Sequence, residues 1–279
     1  MNGVLIVDKE KGMTSFDVIR QIKREKKDNK IKIGHIGTLD PMATGVLPIL
    51  LGEATKLSDY LMEHDKDYVA ILKLGEKRST GDQEGEVVET ADIPEFDENK
   101  IKEVLNSFIG KSEQIPPMYS ALKVNGKKLY ELARQGIEVE RKPRIIEITK
   151  IELISINGNE VKFKVTCSKG TYIRTLCEDI AKKLGTVGYM ADLRRTRVGN
   201  FKVENAGTFI ELEDVLQGIR RIEVLNEKKL INGVSLNEKE YKIIKDSENN
   251  TNLCNLYIKG KYIGIGEMNQ NNLKRKIII

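Results

Sequence analysis

The sequence predicts an α+β fold in which helices and strands are interspersed and the strands pair largely antiparallel. Three observations carry this. Branched, strand-like segments recur along the chain, separated by stretches whose apolar residues fall at helical spacing. In "VKFKVTCS", Val161, Phe163, Val165 and Cys167 alternate with polar residues, which marks a sheet with one covered face rather than a doubly wound parallel sheet. Near Arg220–Asn226 the character changes, and short strand-like runs with an Asn-rich stretch predict a small β-rich C-terminal domain. The expected division is residues 1–224 and 225–279.

The elements follow in order. "VLIV" (Val4–Val7) reads as a strand ended by "DKEKG". Thr14 or Ser15 caps a helix expected to carry Phe16, Ile19 and Ile22 on one face. The Gly-rich stretch from Gly34 is a structured loop that leads into the aliphatic run "VLPILL". "EATKLSDYLME" reads as a helix with Leu57, Tyr60 and Leu61 inward, and "DYVAILKLG" (Asp67–Gly75) as a strand. "TGDQEGE" is a turn signal within an acidic stretch. "NKIKEVLNSFIG" has Ile101, Val104, Leu105 and Phe108 at helical spacing and is expected to close at Gly110; "LYELARQG" repeats the scheme with Gly136. "RIIEITKIELISI" is strand-like, and "TYIRTLCEDIAKKLG" is a helix, or a strand end running into one, stopped by Gly185.

Composition narrows the function classes. Lysine and arginine number 47 against 42 acids, a net charge of +5, which by itself identifies no nucleic-acid binder. The distribution says more: "RQIKREKKDNKIK", "RKPR", "LRRTR" and "LKRK" are basic clusters that suit either a polyanion or solvated helix faces. Three cysteines without a CxxC and only two histidines leave no metal-ligand spacing. No run approaches a signal-peptide core or a membrane span, so a soluble cytoplasmic protein with buried free thiols is expected.

"GHIGTLDPMATGVLPILLGEATK" (Gly34–Lys56) places one carboxylate, Asp40, in a glycine-rich loop. The segment is neither a P-loop nor a dinucleotide fingerprint. "GHIG" fits a GxxG loop of the kind that clamps RNA backbone, and Asp before Pro also starts turns. A third reading is a covalent nucleophile, which must be ionised. Burial among Leu39, Pro41, Met42 and Val46 would oppose ionisation, so such an acid needs a cation, most readily an arginine, from elsewhere in the chain.

That stretch resembles the signature of the bacterial tRNA pseudouridine synthase B family, which acts on a T-loop uridine (position 55 of tRNA). "LIVDKEKGMTSFDVI", "IPPMYSALKVNGKKLYELARQG", "CSKGTYIRTLCEDIAKKLG" and "LRRTRVGNF" resemble the same family in the same order, over most of residues 1–200. One departure is Lys9-Glu10, where the family often has Lys-Pro. The resemblance implies a pseudouridine synthase fold on a mixed, largely antiparallel sheet flanked by helices, with no cofactor and no metal. It implies Asp40 as nucleophile, Arg174 as its cationic partner, and Tyr68 stacked on the target uracil as a candidate base for the C5 proton. It further implies substrate contacts from Tyr172 and an apolar wall from Leu193. His35 would enter the T loop, and Lys56 and Lys9 would support phosphate or structure. If the Tyr172–Arg174 segment is extended, both side chains share a face. The implied partner is the tRNA T arm, with no membrane and no protein partner; a monomer is expected. The C-terminal segment resembles a small PUA-type domain. The competing reading is a non-catalytic tRNA-binding or folding-chaperone protein on the same scaffold.

Overall fold

A computed structural model describes residues 1–27, 30–124, 126–249 and 251–279. Residues 28, 29 and 125, within the expected basic cluster and the "KVNGKK" motif, lie outside them. The central sheet has ten strands. Its main path runs Phe209–Glu211, Gly3–Lys9, Thr44–Leu51, Gly188–Val198, Lys66–Leu74, Glu160–Cys167, Arg144–Asn157 and Gly110–Gln114. Ile33–His35 and Phe201–Lys202 are added at its side. Every pairing is antiparallel except that of Thr44–Leu51 with Gly188–Val198. The sheet is thus mixed and largely antiparallel.

Two hydrophobic patterns map onto two kinds of burial. In "VLPILL", Leu47, Ile49 and Leu51 face one core with helices Ser15–Lys26, Glu98–Asn106 and Ile173–Lys183. Val46 and Leu50 face the other core with Leu212 and Val215. Covered on both faces, the strand reads as an unbroken apolar run. "VKFKVTCS" covers one face only, and its four apolar residues are wholly buried. Burying each such side chain is worth roughly 1.5–3 kcal/mol. Pro48 is tolerated because it lies between the residues that pair with Gly188–Val198 (Thr44, Gly45) and those that pair with Ile33–His35 (Ile49–Leu51), where no N–H is required.

Three local expectations are corrected. Phe16 is 57% exposed under the Arg20 guanidinium, and the buried face of its helix is Val18, Ile19 and Ile22. Thr14 is the cap, in a reciprocal box with Asp17. "EATKLSDYLME" is a 3₁₀ turn (Gly52–Leu57) that runs into a short α-helix (Ser58–Met62). The helix expected to close at Gly110 ends at Asn106, and Gly110 opens the edge strand.

A five-stranded β-rich unit follows, with Arg220–Val224, Tyr241–Lys245, Leu253–Ile258, Lys261–Asn269 and Asn272–Ile278. It takes in Arg220–Val224, which the expected division left in the larger unit. Leu253, Ile265 and Ile277 pack in the same core as Val4, Ile6, Leu212 and Ile219. The cysteines are free and buried.

Candidate active site

Asp40 sits between the strands Ile33–His35 and Thr44–Leu51. The Ala43 N–H donates to its carbonyl at 3.1 Å, closing the turn that Asp-Pro initiates. Neighbouring elements grip this loop. Ser15 Oγ donates to the Leu39 carbonyl and accepts from the Leu39 N–H. Lys9, 1% exposed, donates from Nζ to the carbonyls of Glu10, Met13 and Pro41, and the Gly12 N–H donates to Pro41 as well. Burial brings the Lys9 ammonium down to about 8, against the attraction of Asp40. Lys9 therefore supports the loop from within and offers no phosphate contact.

Arg174 arrives from the first turn of helix Ile173–Lys183, whose N-cap Tyr172 has extended backbone. The Gln114 amide clamps that cap: its oxygen accepts from the Tyr172 N–H at 2.8 Å and its nitrogen donates to the Tyr172 carbonyl at 3.1 Å. Tyr172 is extended and Arg174 helical, so the shared face expected for the two arises at a loop-to-helix corner. Arg174 Nε lies 3.2 Å from Asp40 Oδ2 and its Nη1 3.6 Å from Asp82 Oδ2. Nη1 also donates to the Thr80 carbonyl and Nη2 to the Tyr119 carbonyl. Asp82 is itself held by Thr80 Oγ1 and the Glu84 N–H. Burial pushes the Asp40 carboxyl up; Arg174 is the largest opposing influence, Asp82 adds to the rise, and Lys9 and Arg195 oppose it. The carboxylate is still 34% exposed and opens into a cleft of about 270 Å³.

The sheet forms the floor. Tyr68 and Arg195 are direct cross-strand partners, Leu193 stands opposite Ala70, and Lys66 is two residues from Tyr68 on the same face. All four line the cleft with Asp40, Tyr172 and Arg174. Burial pushes the Tyr68 phenol up to about 12, against the Arg195 guanidinium. Five expected residues, Asp40, Arg174, Tyr68, Tyr172 and Leu193, thus converge. His35 and Lys56 stand outside the lining. His35 has a buried Nδ1 without a hydrogen-bond partner, and burial lowers its pKa. Lys56 pairs with Glu53.

The "LRRTR" cluster presents neither an open basic stripe nor a solvated helix face: it lies on strand Gly188–Val198. Arg195 is 1% exposed, Arg194 pairs with Asp8 at 2.7 Å, and Arg197 with Asp67 at 2.6 Å. Sequence reasoning missed Asp82, Gln114, Lys66 and the burial of Arg195. "TGDQEG" carries a turn signal only and Gln114 no signal at all; the contacts with Arg174 and Tyr172 span 92 and 58 residues of sequence (174 − 82 and 172 − 114). Among the described residues no three His, Cys, Asp or Glu side chains are placed to hold a metal, and no helix is long and apolar enough to cross a membrane.

The family described as TruB family pseudouridylate synthase (N terminal domain) matches residues 21–173, and tRNA pseudouridylate synthase B C-terminal domain matches residues 174–234. The tRNA pseudouridine synthase B of Clostridium kluyveri is 48% identical, with 95% of each chain covered. That of Clostridium tetani is 44% identical, with 98% of each covered. A chain in the crystal structure of a Cbf5–Nop10–Gar1 complex has a TM-score of 0.68 at 27% identity, covering 95% of this chain and 78% of that one. Two adjacent family matches and relatives near half identity over almost the whole length lead to one conclusion: the chain belongs to the tRNA pseudouridine synthase B family of isomerases.

Proposed function

We propose that this enzyme isomerises the T-loop uridine at tRNA position 55, with the base everted into the cleft that contains Asp40. The observation that carries the reading is the Asp40–Arg174 contact of 3.2 Å in a cleft floored by Tyr68. A stacked base is out of reach of such a pocket, so the nucleotide must leave the loop at a cost of a few kcal/mol. Tyr68 offers a ring face on which the uracil stacks, and Leu193 closes the apolar side. Tyr172 contacts the nucleotide from the corner that Gln114 fixes.

Asp40 is the reacting carboxylate. The C1′–N1 bond breaks, the base turns, C1′ bonds to C5, and the C5 proton is lost while N1 takes one up. Attack at C1′, attack at C6 and stabilisation of a glycal-type intermediate all require the ionised carboxylate beside the nucleotide. Arg174 favours that ionised form and fixes its direction. The Tyr68 phenol holds its proton at neutral pH, so accepting the C5 proton requires the phenolate that Arg195 favours. His35 approaches the loop from outside the cleft, and Lys56 supports the neighbouring backbone. The larger unit supplies the reaction and the small β-rich unit, PUA-like, extends the RNA surface; the enzyme works as a monomer in the cytoplasm.

The test uses T-arm RNA with tritium at uracil C5, and mapping of the modified position. Release that depends on Asp40, with pseudouridine at the T-loop position alone, is expected. RNA binding without Asp40-dependent release would leave a tRNA-binding protein in place of this mechanism.

A further inference from the structure

Buried charges are normally paired, because an isolated ion in a protein interior is costly. Around the cleft, Arg174 is shared between Asp40 and Asp82, and Lys9 feels Asp40. Two other cations are compensated only at longer range, Arg195 by Asp40 and Lys66 by Asp65. Lys66 is 7% exposed and Arg195 is 1% exposed, and neither has a carboxylate within ion-pair distance among the described residues. Their hydrogen bonds go to neutral groups: Lys66 Nζ to the carbonyls of His64 at 2.9 Å and Met62 at 3.4 Å, Arg195 Nε to that of Val46 and Nη2 to that of Gly37, both at 2.9 Å, and the Arg195 guanidinium also to the Tyr68 hydroxyl.

The two side chains converge on one point of backbone. A Cβ on Gly37 would stand 3.1 Å from Arg195 Nη1 and 3.5 Å from Lys66 Cε, and Gly37 has φ +74°. Gly37, Thr38, Lys66 and Arg195 are all part of the cleft lining. Among the described residues the cleft thus keeps two buried positive charges at the Gly37 wall with no carboxylate in ion-pair contact with either.

We propose that Lys66 and Arg195 form an anion subsite that receives a backbone phosphodiester flanking the everted uridine. The subsite rests on the reading of this cleft as the uridine site. A phosphodiester fits because it brings a negative charge into direct contact with these cations and because a charge-assisted hydrogen bond is strongest where water is excluded. Lys66 is the direct ligand. Arg195, with two of its groups already committed to carbonyls, adds charge and holds the Gly37 loop.

Synthetic T-arm stem-loops carrying a single neutral methylphosphonate on the 5′ or the 3′ side of the target uridine test this, each against a 2′-deoxy phosphodiester control. With the wild-type enzyme, one of the two linkages is expected to weaken binding about tenfold. Lys66→Met is expected to show the same loss on unmodified RNA, no further loss on that neutral linkage, and a salt slope shallower by about 0.7–0.9. Lys66→Arg should recover most of the affinity. Equal binding of both neutral linkages and the control overturns the subsite, as do losses from Lys66→Met and the linkage that multiply. If Lys66→Met does not fold, as judged by its thermal melt, the wild-type comparison alone decides. Asp40-dependent turnover without any linkage effect sinks the subsite and leaves the uridine reading standing; absence of that turnover sinks the uridine reading itself.

Discussion

Position 40 carries a conflict between stability and reactivity. The folded carboxyl titrates above its ordinary range because burial outweighs Arg174. In that window the folded chain binds more protons than the unfolded one, so stability falls as pH rises through it, and ionised Asp40 is a cost at neutral pH. Asp40→Asn is therefore expected to raise the melting temperature at pH 7 while turnover is lost and RNA affinity is kept. A lower melting temperature in a thermal scan would contradict this. The same shift predicts an acid limb in the pH–rate profile above the ordinary carboxylate range. Asp82→Asn removes a like charge from Asp40 and should move that limb to lower pH. Arg174→Met strands Asp40 and Asp82 without their shared cation and is expected to cost about 3–5 kcal/mol in urea unfolding.

At the scale of elements, the site depends on how backbones meet. Gly45 lies where Thr44–Leu51 and Gly188–Val198 pair in parallel; it has φ +107°, and a Cβ there would stand 2.1 Å from the Arg195 carbonyl oxygen. Gly45→Ala is expected to destabilise by about 2 kcal/mol or more through strain and overlap. Gln114→Leu breaks both bonds to the Tyr172 backbone. Its expected cost is about 1–3 kcal/mol of stability, with a higher KM than the wild type from a displaced Tyr172. Chemical unfolding together with steady-state kinetics measures both effects.

For the molecule as a whole, charge and connectivity matter most. Four clusters looked alike in sequence, but "LRRTR" spends its charge on Asp8, Asp67 and the interior, whereas Lys26, Lys27, Lys274 and Lys276 are exposed. Lys26→Gln with Lys27→Gln is expected to flatten the salt dependence of tRNA binding by about 1 in slope, and Arg194→Gln to leave it unchanged. Equal slopes for all three proteins, measured from low to high salt, would count against this footprint. The β-rich unit shares a core with the large sheet, so it is expected to unfold together with that sheet in a single transition.

Periodicity and turn chemistry are local, which is why the alternation of "VKFKVTCS", the Thr14 cap and the change near Arg220 were legible in the sequence. Motif resemblance likewise brought Asp40, Arg174, Tyr68, Tyr172 and Leu193 forward before any geometry, and the fold gathers all five in one cleft. What the chain could not declare is which charges end up paired. Asp82 sat in a turn signal, Gln114 carried no signal, and Arg195 belonged to a cluster that suited either a polyanion or a solvated face. Their roles depend on strands and loops far apart in sequence coming within 4 Å, and on water being excluded there, two conditions set only when the sheet closes and the core forms.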